Sequence, residues 1–305
     1  MDFVFILLLG AIAYRSVPRW ATLSLAVASI PIVIVYLTAQ RRSAVVALAV
    51  GVLYLVISLF WRQRKTFFAF APFVFVVGIG YLAAFWNSTS AAAFPANAIK
   101  TVIAPDEVSA ADRSSNLYRQ IELYDVWATI RFEPIRGIGF GKPFLRPIPL
   151  PNISTTFEFW AFFPHNSLLW LWTKLGFLGF VTFLYVIGRG LMLGAHRLRH
   201  APDGIDAVMQ LALSSFIAMY VVFMYVDIAF EPRNVTLLAV ALAASTVPLR
   251  DEEQPDEPSG PKLTVAPDHP ASRRRPALGS SARSPADRQP VQARSSATTS
   301  ASRSA

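Results

Sequence analysis

One histidine in this chain stands where proton-transfer chemistry can occur. His165 lies in Phe163-Pro164-His165-Asn166-Ser167, between the large polar loop and a long apolar run. The imidazole ring changes charge near neutral pH, which suits it to proton transfer. At a membrane surface, beside a loop that carries several arginines, a neutral imidazole favours chemistry on an anionic, lipid-borne substrate.

Four arginines are candidates for binding that anion. Arg41 and Arg42 lie in a connection between two apolar blocks that is predicted to face the outer side of a membrane, where cations are disfavoured. They either snorkel at helix ends or bind an anion. Arg119 and Arg136 belong to the large loop, with Arg136 in a glycine-rich stretch, residues 134–141. No Lys-Ser/Thr follows these glycines, so we predict a tight turn that a substrate can approach closely, not a phosphate loop.

Acidic residues occur in two places near the candidate site. Asp227 and Glu231 cluster with Arg233 in a short turn between apolar blocks, where charges are costly unless they are paired or used. We predict that Asp227 or Glu231 orients His165 or pairs with the substrate arginines.

The second acidic pair, Glu122 and Asp125, lies on a predicted loop helix. We interpret both as ion-pair partners on the helix surface. They have no histidine partner and the chain contains no cysteine, so neither a metal site nor a cofactor is predicted.

Composition places these residues in a membrane protein. Hydrophobic residues make up 54% of the 305 positions. They form blocks at about 3–14, 20–38, 43–60, 67–86, 164–188, 206–226 and 234–249. Because a helix needs about 20 residues to cross about 30 Å of hydrocarbon, we predict an all-α transmembrane bundle of about six to seven membrane segments over residues 1–249. The first block is short, which indicates the end of a helix whose beginning is missing.

Basic residues in the short connections predict the orientation. Two basic clusters are expected to face the cytosol: one at 62–65, and one formed by Arg189, His196, Arg197, Arg199 and His200. Alternation then places the large loop, residues 87–163, and the turn at 227–233 on the outer face. Because many cations flank apolar blocks in this way, the net charge of +9 reflects topology and predicts no nucleic acid partner.

Two further segments have a composition of their own. Within the outer loop, Ser114-Ser115-Asn116 is a capping cluster, and a helix is predicted from about 117 to 132, ending before Pro134. Its apolar residues follow at helical spacing: Leu117, Ile121, Tyr124 and Ala128. Residues 250–305 contain almost no large apolar side chains, which predicts a disordered cytosolic tail.

Five motifs in a fixed order resemble the O-antigen ligase and polysaccharide polymerase superfamily of bacterial envelopes. They are Gln40-Arg41-Arg42-Ser43-Ala44, Arg119 with Trp127, Pro134-Ile135-Arg136-Gly137-Ile138-Gly139, Pro164-His165-Asn166-Ser167-Leu168 and Lys174-Leu175-Gly176-Phe177-Leu178-Gly179. The resemblance covers roughly residues 35–245. It implies a bundle similar to GT-C membrane glycosyltransferases with about ten to twelve spans, so several N-terminal helices are expected to be missing here.

The resemblance also implies a reaction. Such proteins take a glycan from undecaprenyl diphosphate and attach it to an acceptor hydroxyl at the periplasmic face of the inner membrane. A ligase uses lipid A core as acceptor, and a polymerase uses a second lipid-linked glycan. Arg42 matches the arginine at a helix start, Arg119 that of the large loop, and His165 the His-Asn pair. Arg41 stands where a small residue is usual, which leaves open which of the two arginines faces the site.

The chemistry of the implied reaction suits these residues. Transfer from a lipid diphosphate builds negative charge on the leaving group, and guanidinium groups neutralise such charge without a metal. His165 begins a helix, whose dipole disfavours the imidazolium and keeps a base for the acceptor's proton.

Other hypotheses stay open beside this one. A transporter or flippase component would use the same arginines to recognise lipid-linked glycan, but it needs no proton acceptor. An inactive fragment of a ligase is favoured by the short first block. His165 can also be a structural residue at a helix start.

Overall fold

The protein is all-helical in a computed structural model that describes residues 2–15, 17–107 and 109–246. Its helices are α1 (Asp2–Tyr14), α2 (Arg19–Ala39), α3 (Arg42–Arg62), α4 (Arg64–Phe85), α5 (Phe94–Ile103), α6 (Ala110–Phe132), α7 (Ser167–His200), α8 (Ile205–Val226) and α9 (Pro232–Ala244). The prediction of an all-α membrane bundle is confirmed. The predicted tail, residues 250–305, lies outside the described residues.

Five of these helices are long and apolar enough to cross a membrane. They are α2, α3, α4, α7 and α8. Helices α1 and α9, with 13 residues each, match the first and last apolar blocks but rise only about 20 Å. Five of the seven predicted membrane segments therefore have the length of a span, and two are shorter helices in the same bundle.

Helix α8 forms the centre of the bundle. It packs against α1, α3, α7 and α9, and its side chains Leu211 and Ile217 are fully buried. In contrast, α4 has no buried residue, so its apolar surface is available to lipid. The apolar blocks thus differ in role: α8 supplies the core and α4 supplies lipid-facing surface.

One end of the bundle is held by Arg62, the last residue of α3. Its guanidinium donates to the carbonyl oxygens of Leu198 and Ala201 and lies 2.7 Å from a carboxylate oxygen of Asp203. The two basic clusters that predict the cytosolic side therefore meet at the same end. Arg42 and Asp227 lie at the other ends of α3 and α8.

The loop helix α6 begins earlier than predicted. Its N-cap is Ser109, whose hydroxyl accepts from the N–H of Asp112 at 3.1 Å. The predicted capping cluster at 114–116 therefore lies inside the helix. Ser109 succeeds as the cap because its backbone is extended, with φ −60° and ψ 156°, and its hydroxyl satisfies a free N–H of the first turn.

Helix α7 is broken at Gly176, where the backbone takes φ 68° and ψ −175°. The break frees the carbonyls of Thr173 and Lys174, and the N–H groups of Ile138 and Gly139 donate to them at 2.7 and 3.2 Å. The freed N–H of Phe177 donates to the carbonyl of Pro134 at 3.0 Å. The glycine-rich stretch therefore completes the hydrogen bonding of a broken helix.

Gly176→Ala is expected to destabilise the protein. A Cβ on Gly176 would lie 2.0 Å from the Ile135 carbonyl oxygen, and this glycine-only backbone conformation alone costs another residue about 1–3 kcal/mol. Gly188→Ala is the control, since Gly188 is helical and has open space around its Cβ position. Thermal unfolding in detergent should show a lower midpoint for the Gly176 variant only; equal midpoints would contradict this account of the break.

Candidate active site

The candidate site is built where α6 meets the start of α7. Asn166 caps α7, with its side-chain oxygen accepting from the N–H of Leu169 at 2.9 Å, so His165 is fixed directly before the helix. Glu122 of α6 is only 3% exposed, and its Oε2 accepts from the backbone N–H of His165 at 2.8 Å. The same oxygen lies 2.9 Å from His165 Nδ1. One carboxylate therefore holds both the backbone and the ring of His165.

This contact determines which ring nitrogen is available for chemistry. A carboxylate can only accept, so Nδ1 carries the proton, and the lone pair of a neutral ring lies on Nε2. Among the described residues, none bonds Nε2. The arrangement leaves a basic nitrogen on the side of the ring away from Glu122.

Tyr118 lies one turn before Glu122 and packs edge-to-face on the ring of His165, with ring centres 6.1 Å apart. Burial, and then the charge of Glu122, raise the pKa of Tyr118 to about 12. Its hydroxyl is buried without a partner in the described part of the chain. Tyr118 therefore offers a protonated donor beside His165, a role that the sequence did not indicate.

His165 opens on a pocket of about 520 Å³. The pocket is lined by Ser114, Ser115, Leu117, Tyr118, Arg119, Ile121, Pro151, Ile153 and His165. The structure thus brings two of the predicted site residues, Arg119 and His165, to one surface. A pocket of this size fits a small ligand or one part of a larger ligand.

Arg42 reaches the same helix from the start of α3. Its guanidinium lies 2.8 Å from a carboxylate oxygen of Asp112 and donates to the side-chain oxygen of Asn116 at 3.2 Å. Asp112, Asn116 and Arg119 follow at intervals of four and three residues, so they share one face of α6. The two arginines therefore approach the same stripe of that helix.

Arg41 points to a different place. Its guanidinium lies 3.9 Å from Glu231 Oε1. The other carboxylate oxygen, Glu231 Oε2, accepts from Arg233 Nε at 2.8 Å. These three residues border a second pocket of about 390 Å³, which has Tyr36 and Phe223 among its lining residues. Glu231 therefore pairs with Arg41, one of the arginines predicted to bind substrate; that Arg41 binds substrate stays a prediction.

Asp227 does not contact His165, contrary to one of the predicted roles. Its Oδ2 accepts from the hydroxyl of Ser43 at 2.5 Å, and its carbonyl accepts from the hydroxyl of Ser167 at 2.9 Å. Asp227 therefore joins the starts of α3 and α7. The orienting role predicted for Asp227 or Glu231 belongs to Glu122, because α6 and not the 227–233 turn packs against the imidazole.

The interpretation of Glu122 and Asp125 as surface ion-pair partners is wrong. Both are buried, and Asp125 Oδ1 accepts from the N–H of Ile148 at 3.1 Å. The face of α6 that carries them also carries Val126 and packs on Phe144 and on α7. The apolar face expected from the spacing is instead partly exposed, with Leu117 at 57%.

The glycine-rich stretch forms a turn with positive φ at Gly137, Gly139 and Gly141. At Gly137 the close approach serves α7, because a Cβ there would meet backbone atoms of Thr173, Lys174 and Gly176 within 2.8 Å. Gly139 and Gly141 have open space, so substrate approach at these two positions stays a prediction. Arg136 is exposed, and it is not among the residues that line the His165 pocket. Among the described residues, no group of three His, Asp or Glu side chains could hold a metal ion.

Asp125→Asn is expected to stabilise the protein increasingly as pH rises. Burial raises the pKa of Asp125, although the N–H of Ile148 partly offsets it. A carboxyl whose pKa is higher in the folded chain costs stability as pH rises above about 4, the ordinary aspartate value. Melting midpoints measured from about pH 4 upward should therefore favour the Asn variant increasingly until the carboxyl of the folded chain is ionised. Asp106→Asn, at an exposed position, is the control; a difference that stays flat for both variants would contradict the prediction.

Comparison with known protein families gives a match. The model of a family described as O-antigen ligase matches residues 3–184, more than half of the chain. This range holds Arg42, Arg119, Glu122 and His165. No curated protein and no solved structure matches significantly. The chain belongs to the O-antigen ligase family.

Proposed function

We propose that this protein transfers a glycan from undecaprenyl diphosphate to an acceptor hydroxyl at the periplasmic face of the bacterial inner membrane. The acceptor is a glycan or lipid A core, and the transfer needs no metal or cofactor. The observation that carries the proposal is the Glu122–His165 pair, which presents a basic nitrogen beside a pocket that also contains Arg119.

In the proposed step, His165 Nε2 takes the proton of the acceptor hydroxyl while its oxygen attacks the anomeric carbon of the donor. The new C–O bond forms as the bond from that carbon to the diphosphate breaks, and the electron pair leaves with the diphosphate. The imidazolium is stabilised by the Glu122 carboxylate on Nδ1, as a buried acid does for other catalytic histidines. The proton then passes to solvent or to the released diphosphate.

The negative charge of the leaving group requires cationic partners. Arg119 lines the pocket, and Arg42 is held against the same face of α6 by Asp112. A guanidinium presents five N–H donors, so Arg42 keeps donors free for phosphate oxygens beside its ion pair. We assign the diphosphate to these two arginines.

The second pocket receives a separate assignment. Its lining combines Phe216, Met219 and Phe223 with a rim formed by Arg41, Glu231 and Arg233. An apolar pocket with a charged rim suits a lipid with a polar head, so we assign this pocket to the isoprenoid carrier. Asp227 joins α3 to α7, so we expect it to fix the positions of the two pockets relative to each other.

The distribution of cations supports the proposed orientation of the helix bundle in the membrane. Arg62, Arg197 and Arg199 lie at one end of the bundle, and Arg62 bonds the backbone around Leu198. Such clusters mark the cytosolic side. The site at the other end of α3 and α8 is therefore assigned to the periplasm.

His165→Gln should reduce glycan transfer by about 100-fold to 10,000-fold, because glutamine keeps a hydrogen-bonding side chain but cannot take the proton at neutral pH. Donor binding should change little. Transfer is measured as consumption of undecaprenyl-diphosphate-linked glycan by membranes, and binding is measured separately. Glu158→Gln, at an exposed position of the same loop, is the control.

The outcomes separate the competing hypotheses. Transfer by the His165→Gln variant within a few-fold of the parent would remove His165 as the base. Loss of binding together with transfer would make His165 a structural residue. Binding without turnover in the parent protein would favour a transporter component.

Arg119→Ala and Arg42→Ala should each weaken donor binding by about 10-fold to 100-fold, since a charge-assisted contact contributes about 1.5–3 kcal/mol. Arg42→Lys retains a charge for Asp112 but loses the planar fork, so it should rescue only partly. Arg113→Ala, an exposed position of α6, is the matched control. If both alanine variants reach the membrane and bind donor as the parent does, these arginines do not hold the diphosphate.

A further inference from the structure

The break in α7 fixes the level of the membrane boundary on this helix. From Phe177, directly after the break, to Arg197 the helix rises about 30 Å, which is the thickness of the hydrocarbon core. Leu178 is 70% exposed and begins an apolar face that continues along the helix. Arg189 is exposed within this stretch, and its long side chain can extend toward the cytosolic boundary. Phe177 thus marks the opposite edge of the hydrocarbon.

The end of α6 is attached at this same level. The carbonyl of Pro134 accepts from the N–H of Phe177 at 3.0 Å and from Trp172 Nε1 at 3.0 Å. Trp172 also packs on Trp127 of α6, with ring centres 6.0 Å apart. Tryptophans of this kind concentrate at the boundary between hydrocarbon and headgroups.

The side chains around Pro134 are exposed and apolar. Phe132 is 68% exposed and Ile135 is 67% exposed. The carbonyl of Ile135 accepts from the N–H of Phe177 at 3.2 Å, so this apolar segment adjoins the lipid-facing surface of α7. Exposing two such side chains to water is unfavourable in free energy, whereas a segment at the membrane interface buries them in lipid.

Cations flank these apolar side chains. Arg131 precedes Phe132 and Arg136 follows Ile135, and both arginines are exposed. Neither forms an ion pair with a described residue. With Glu133 as the acid of the segment, residues 131–136 keep a net positive charge, which complements the phosphates of lipid headgroups.

We propose that residues 131–136 form an interfacial anchor that docks on the outer surface of the bilayer. Phe132 and Ile135 enter the acyl chains, and Arg131 and Arg136 bind lipid phosphates. Arg136 thereby serves the membrane rather than the sugar donor. Because Glu122 lies ten residues before Phe132, at most about 15 Å along the helix, the anchor sets the height of the His165 pocket above the lipid.

The anchor can be tested in the full-length chain, which contains no cysteine. Phe132→Cys and Ile135→Cys are labelled with a small fluorophore in vesicles of phosphatidylcholine and phosphatidylglycerol. Leu178→Cys on α7 is the membrane control, and Leu117→Cys, an exposed apolar position of α6 that lies 15 residues before Phe132, is the aqueous control. Lipids with a nitroxide near the headgroup and aqueous iodide serve as quenchers.

Labels at 132 and 135 should be quenched by the lipid nitroxide as the label at 178 is, and by iodide several-fold less than the label at 117. Substituting both Arg131→Gln and Arg136→Gln should remove the dependence of lipid quenching at 135 on phosphatidylglycerol. Iodide access equal to that at 117 would overturn the proposal. Protection from both quenchers would also overturn it, since a protein surface such as a second copy would then cover the patch.

Discussion

A buried carboxylate must find hydrogen-bond donors, and Glu122 finds two of them on His165. Leaving a buried carboxylate without partners is costly, so this pairing fixes how α6 lies against the start of α7. The same pairing determines that Nε2 is the free nitrogen, and His165 lines the pocket that contains Arg119. The position of the loop helix, the tautomer of the imidazole and the location of the candidate site thus depend on one interaction.

Hydrogen bonds around the break at Gly176 hold the loop against α7 and thereby support the Glu122–His165 contact. The glycine-rich stretch bonds the exposed backbone on both sides of the break, and Gly137 permits the close approach. At the start of α7, Asp227 ties this helix to α3 through Ser167 and Ser43. Gly137 and Asp227, which the sequence pattern first indicated as substrate contacts, therefore have structural roles.

Much of the bundle is predictable from sequence because backbone polar groups in hydrocarbon must be hydrogen-bonded within the protein. Long apolar blocks must become helices, and each of the seven predicted blocks does. The start of α7 is predictable as well, since Asn166 is a strong capping residue that acts locally.

The burial of Glu122 and Asp125 is not predictable in this way. Which face of α6 is buried depends on packing against α7 and against the segment that contains Phe144, far along the chain. Apolar spacing favoured the side of Leu117, which instead lines the pocket. Similarly, the role of Gly137 depends on a broken helix that no local pattern reveals.

The central claim is that Glu122 acts through His165, and a double-mutant cycle tests it most directly. Transfer rates are compared for the parent, Glu122→Gln, His165→Gln and the double variant, with donor binding measured for all four. The account predicts that the double variant transfers glycan no more slowly than His165→Gln alone, because Glu122 has no role without the base. Independent effects, in which the two rate losses multiply, would contradict it.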